Sequence, residues 1–118
     1  MTVTALTPLP CGEACTACHR VLPGAHTAHI HPRSVVSGTY YVSVPPGAGA
    51  IRFEDPRLAL MMAAPVRKPA ARKENRTFHV VQPKAGMLLL WESWLRHEVL
   101  ASKSLRERIS ISFNYGWR

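Results

Sequence analysis

Acidic residues are scarce in this chain, seven against fifteen lysines and arginines, which leaves a formal charge of +8 over 118 residues. A field of that sign attracts anions, so acidic metabolites, nucleic acids and anionic membrane surfaces are admissible partners. Long apolar runs are absent: no stretch approaches the ~20 residues that a bilayer-spanning helix needs. The first residues show no basic flank followed by an apolar run, so a secretory signal is not expected and the cytoplasm is the expected compartment. Cysteine is sparse; three residues cannot all pair within one chain, and without export they are expected to be reduced thiols. Uninterrupted stretches are also lacking, because ten prolines and seven glycines punctuate the sequence. That spacing disfavours long helices and favours short strands joined by turns.

What remains is an ordinary globular composition, 47% hydrophobic and 8% aromatic, at a length suited to one domain. Residues 1–17 are rich in Thr, Pro, Gly and Ala with no sustained period, and are expected to form an arm. From Cys18 onward strand signals follow one another: His19–Leu22, Thr27–His31, Val35–Val44, Ala50–Glu54, Thr77–Gln82, Met87–Trp91, Leu95–Leu100 and Arg108–Tyr115. The apolar segment Leu58–Ala64 is ambiguous, and its context suggests a short strand or turn. Arg67, Lys68, Arg72, Lys73 and Arg76 form the one dense basic group. It reads as a solvated loop, since a nucleic-acid patch would want interleaved aromatics and none precedes Phe78. About eight short strands at close spacing predict an all-β sandwich or barrel, with a jelly roll as the natural form.

Histidine carries the first chemical signal. In an extended strand alternate side chains share a face, so His29 and His31 can offer two imidazoles to one ion. A third ligand must come from elsewhere, and His97 is a reasonable donor. Two histidines at this spacing do not define a metal site, and surface imidazoles would give the same pattern. The last strand carries the second signal. Alternation separates Arg108, Ser110, Ser112 and Asn114 from Ile109, Ile111, Phe113 and Tyr115. If the polar face lines a pocket, Arg108 and Ser110 can grip a carboxylate; if it faces outward, it meets only water.

Four segments in register, HIHPRSVVSGTYYV, IRFEDPR, PKAGMLLLWESWLRHEV and ERISISFN, resemble a 2-oxoglutarate/iron(II) dioxygenase family of uncharacterised bacterial and phage-type proteins. The resemblance spans roughly residues 18–118. It implies a double-stranded β-helix core, an Fe(II) cofactor and 2-oxoglutarate as cosubstrate. It implies metal ligation by His29 and His97, with Arg108 and Ser110 on the cosubstrate's distal carboxylate; the eleven-residue separation of His97 and Arg108 (108 − 97) fits. Tyr41 matches a cosubstrate-binding tyrosine, and Trp91, Trp94 and Asn114 are candidate pocket-lining residues. The superfamily's usual carboxylate ligand is replaced by His31, which completes an all-histidine set. Glu54 or Asp55 could supply a carboxylate, although FEDPR reads more simply as a strand end and turn.

The substrate is not implied by the resemblance. A hydroxylase, a cupin-like metal protein without 2-oxoglutarate, and an inactive basic binding module are the three classes the residues admit. Relatives carry roughly another half-domain ahead of this region, so the apolar face of Ile109, Ile111 and Phe113 is expected to drive homodimerisation. Cys15-Thr16-Ala17-Cys18-His19 fits the haem-attachment spacing, and Cys11, Cys15, Cys18 and His19 could hold zinc, but incidental thiols are the simpler expectation.

Overall fold

Val, Thr and Tyr crowd the stretch after residue 35, and the pleated backbone they favour sets the architecture. The computed structural model describes residues 7–8, 19–21 and 25–116. Its strands are β1 (Thr7–Pro8), β2 (His19–Val21), β3 (His26–His29), β4 (Val36–Ser43), β5 (Ile51–Glu54), β6 (Phe78–Val81), β7 (Leu88–Glu92), β8 (His97–Val99) and β9 (Arg108–Gly116). One sheet runs β1–β9–β4–β7, with β2 also paired to β9, and the other runs β3–β8–β5–β6. Every pairing is antiparallel. These two facing sheets form the expected jelly roll. The cysteines and most of the N-terminal arm lie outside the described residues, and no described helix is long and apolar enough to cross a membrane.

Two expectations change. Leu58–Ala64 forms neither strand nor simple turn: Leu58–Met62 is a short α-helix, α1. It lies outside both sheets, so no neighbouring strand competes with the helix propensity of Leu, Ala and Met. The strand expected over Leu95–Leu100 contracts to His97–Val99, because the Leu95 amide closes a turn on the Glu92 carbonyl at 2.8 Å.

Alternation along β4 and β9 divides the larger sheet into unlike faces. Ser37, Thr39 and Tyr41, with Arg108 and Ser110, turn inward and are buried. Tyr40, Val42, Leu88, Leu90, Ile109 and Ile111 turn outward and are exposed. Among the described residues the buried apolar set is small: Tyr41, Ala48, Ala50 and Ile51. The buried polar set is larger, comprising Ser37, Thr39, Ser93, His97, Ser104, Arg108 and Ser110. Polar groups are costly to bury unless they are bonded or have a ligand to meet, so this interior is built around a site.

Close backbone approach fixes one corner of that site. The Gly49 carbonyl accepts from Arg108 Nη1 at 3.2 Å, and a Cβ at Gly49 would overlap the Leu100 carbonyl oxygen. Gly49→Ala is therefore expected to destabilise the chain by about 1–3 kcal/mol, the usual range for overpacking. Urea unfolding checks this, and an unchanged midpoint would show that the backbone there yields freely.

Candidate functional site

His29 ends β3 directly opposite His97 at the start of β8. Beyond β3 the chain turns through His31–Ser34, where the Ser34 amide meets the His31 carbonyl and Arg33 adopts a left-handed φ of 66°. The His31 amide donates to the Ser93 carbonyl at 2.9 Å, which ties this turn to the end of β7. The result is a convergence of His29, His31 and His97, whose ligand-capable atoms all lie within 4.8 Å of one another. Their ring centroids stand 4.5 to 5.2 Å apart.

Two of the three rings are oriented by backbone. His29 Nδ1 lies 2.7 Å from the Thr27 carbonyl, and His97 Nδ1 lies 2.8 Å from the Leu95 carbonyl. A carbonyl only accepts, so in both rings Nδ1 is the donor and Nε2 is the nitrogen left to meet a metal. Such a partner fixes tautomer and angle in metal-ligating histidines. Burial pushes His31 down to about 4, with the His97 and His29 charges lowering it further. His97 is also lowered, by burial first; its Leu95 hydrogen bond opposes the shift and His29 adds to it. His31 and His97 are therefore neutral at pH 7, the form that binds metal. Glu54 and Asp55 do not join the cluster: Glu54 pairs with Arg96 at 3.1 Å and Asp55 with Arg57 at 2.6 Å.

Deeper in the interior lies the anion-seeking half. Arg108 is 7% exposed, and its Nε is buried without a hydrogen-bond partner among the described residues. Burial lowers its pKa, opposed by the nearby Tyr41 hydroxyl. The guanidinium carbon lies 5.8 Å from the Tyr41 ring centroid. Tyr41 itself is raised by burial, against the pull of Arg108, so it holds its proton as a donor. Ser110 stands on the same inner face at 2% exposure. The arrangement is a desolvated cation with donors beside it and no carboxylate partner among the described residues.

A polar ladder joins the two halves. Thr39 and Ser112 hydroxyls meet at 2.9 Å, Ser37 donates to Asn114 Oδ1 at 2.6 Å, and Ser93 reaches Ser37 at 2.8 Å. Asn114 thereby keeps its Nδ2 hydrogens available. All three histidines, Tyr41, Arg108 and Ser110 line one cavity of about 100 Å³. At roughly 10–15 Å³ for each water-sized group, that is room for a small metabolite.

Trp91 and Asn114 also line this cavity, as the sequence suggests, but Trp94 does not. Trp94 is 55% exposed in the β7–β8 turn, where Ser93 takes the inward place. Ser112 lies on the polar face of the last strand, as its alternation predicts; Ser37, Thr39 and Ser93 were passed over, although the alternation of SGTYYV held the signal for the first two, and nothing marked Ser93. Trp91 packs on His97 at 4.9 Å and on Phe53 at 5.4 Å, with its Nε1 buried and unpartnered among the described residues.

Known proteins share this fold. A crystal structure of a 2OG-Fe(II) oxygenase-family oxidoreductase from Burkholderia pseudomallei superimposes with a TM-score of 0.60 at 16% identity, over 81% of this chain and 39% of that one. A Pseudomonas putida prolyl-4-hydroxylase superimposes with a TM-score of 0.59 at 23% identity, over 86% and 52% respectively. At these identities the likeness establishes the fold, and the chain spans about two fifths and one half of those proteins. No curated protein matches. The family model described as "Putative 2OG-Fe(II) oxygenase" matches residues 20–114, so the chain belongs to the 2OG-Fe(II) oxygenase family.

Proposed function

We propose that this chain forms the core of a 2-oxoglutarate-dependent Fe(II) hydroxylase of unidentified substrate. The observation that carries the reading is the buried Arg108, with an unsatisfied Nε, in the same cavity as three converging imidazoles. A desolvated guanidinium without a counter-ion is stable only when an anion meets it, and a dicarboxylate spanning from Arg108 to the histidines satisfies that need.

The donor set fits a divalent metal. Nε2 of His29 and of His97 would bind it, with His31 as third ligand. Three neutral imidazoles leave Fe(II) at a formal +2, one unit above a site with two histidines and a carboxylate. Zn, Ni and Cu also favour such nitrogen sites, so the histidines carry metal binding more firmly than they carry iron. When bound, Fe(II) and 2-oxoglutarate supply the oxidation: O2 is consumed, 2-oxoglutarate becomes succinate and CO2, and a substrate C–H becomes C–OH. The chain's own residues position and desolvate. Arg108 and Ser110 hold the distal carboxylate, Tyr41 donates its hydroxyl proton in a hydrogen bond, and Trp91 shields His97 from water.

Arg108→Gln is expected to weaken 2-oxoglutarate binding by about 2–5 kcal/mol, the range for truncating a buried charge partner. Calorimetric titration of the metal-loaded protein checks this, with metal content measured in parallel and expected to be unchanged. Equal affinity in both proteins would remove Arg108 from the cosubstrate site. His97→Ala is expected to lose the metal itself under equilibrium dialysis against Fe(II). A rival reading, a cupin-like metal protein without 2-oxoglutarate chemistry, is favoured by the all-histidine set. It requires metal retention, no 2-oxoglutarate binding and no succinate release.

The outward face of the larger sheet belongs to the same proposal. Tyr40, Val42, Leu88, Leu90, Ile109 and Ile111 expose on the order of 500 Å² of apolar surface, at the upper end of what a monomer leaves uncovered. With its rim, such a patch approaches the ~800 Å² per partner of a standard interface, and a second copy of this chain is its proposed occupant. Light scattering should give twice the chain mass, and Leu90→Lys with Ile111→Lys should halve it. A wild-type mass of one chain at micromolar concentration would rule the dimer out.

A further inference from the structure

The jelly roll does not close where its two edge strands meet. β6 ends one sheet and β7 ends the other, and among the described residues neither has a further strand beside it. Between them opens a groove of about 510 Å³, floored by Phe53, Val81, Leu89, Trp91 and Leu95. These are core-type side chains on inward faces, yet all five are only half-buried. The groove shares Trp91 with the histidine cavity, and Phe53 packs against both Trp91 and His97, at 5.4 and 5.9 Å. Whatever occupies it lies one aromatic side chain away from the candidate metal centre.

Its rim carries Lys73 and Arg76 beside the carboxylates of Glu54, Asp55 and Glu74, with His79 among them, and Arg67 sits close enough to Asp55 to lower the aspartate's pKa. Of the acidic residues there, Glu54 is paired with Arg96 and Asp55 with Arg57, which leaves Glu74 to oppose the cations. The same connection leaves several apolar side chains in solvent: Leu58 at 50%, Leu60 at 67%, Met62 at 89% and Val66 at 99% exposure. Nucleic acid is a poor match, because no aromatic residue stands within the 57–76 connection to stack on a base.

Resting on the oxygenase reading, and naming its substrate class, we propose that this seam binds an extended acidic peptide segment with a bulky apolar side chain seated in the groove. Two open strand edges offer main-chain hydrogen bonds to an extended segment, the mode of strand addition. The apolar floor takes the side chain, and the cations of residues 67–76 take flanking carboxylates. The bound segment then runs past Trp91 toward the histidine cavity.

Fluorescence anisotropy of the whole chain tests this with a fluorescein-labelled peptide of about ten residues, a central leucine flanked by aspartates and glutamates. Three controls accompany it: the same peptide with lysines for the acids, the acidic peptide with serine for leucine, and an oligothymidine of similar length. The acidic leucine peptide should bind best, and the serine and lysine versions should each bind at least about tenfold more weakly. Lys68→Glu with Lys73→Glu, both exposed and outside the histidine cavity, should weaken the acidic peptide by roughly five- to tenfold and speed its dissociation little. Equal binding of acidic and lysine peptides, tighter binding of the oligothymidine, or indifference to the double substitution would each overturn the proposal. The titration is run on metal-free and metal-loaded protein. Peptide binding without metal or 2-oxoglutarate binding would leave the groove standing and sink the oxygenase reading, and the converse result would do the opposite.

Discussion

The interior of this protein is organised by one cation withdrawn from water. Arg108 begins β9 on the inner face, and its hydrogen-bond acceptor among the described residues is one carbonyl, that of Gly49. A buried guanidinium costs several kcal/mol unless it is paired, so its surroundings must permit it and its ligand must repay it. The neighbourhood is shaped accordingly. Ala48, Gly49 and Ala50 are small and buried, which lets the backbone carbonyl come within reach, and Tyr41 and Ser110 add donors on the same side. A larger residue at 49 would meet Leu100, so the arginine's anchor and the packing of two loops share one constraint.

The histidines depend on the same register. β9 fixes β4, β4 fixes β7, and the β7–β8 turn sets both Ser93 and His97. The Ser93 carbonyl then holds the His31 amide, and β8 holds β3 with His29 opposite His97. A one-residue slip in any of these ladders would turn an inward ligand outward. The cation at one end of the cavity and the imidazoles at the other are thus placed by a single continuous set of strand pairings.

Much of this was legible in the sequence, because alternation is a local property. The polar and apolar faces of RISISFN and most strand positions follow from the period of two, whereas His31, expected to share a strand face with His29, reaches the cluster from the turn after β3. The spacing of His97 and Arg108, with the order of four motifs, singled out the candidate site residues. Three features were not legible, each for a reason outside the local pattern. α1 took its shape because no strand lay alongside it. Trp94 faces solvent because a tight turn, not a strand, follows Glu92. Ser93 is wholly buried because the His31 turn folds back over it, a contact between residues sixty-two positions apart in the chain (93 − 31).

Polar inside and apolar outside is the reverse of the usual sheet sandwich, and it has a thermodynamic consequence. With few apolar groups fully withdrawn from water, the main driving force for folding is only partly used within the chain. The unspent part resides in two places: the outer face around Leu90 and Ile111, and the half-buried floor of the β6–β7 seam. Anything that covers either surface, or that neutralises Arg108, binds the folded chain and not the unfolded one, and so stabilises it by mass action. The proposed cosubstrate, peptide and second copy would therefore be linked through the fold even without touching one another. A peptide in the seam would brace Trp91 against His97 and so steady a candidate metal ligand, which would couple occupancy of the groove to the order of the histidine cluster.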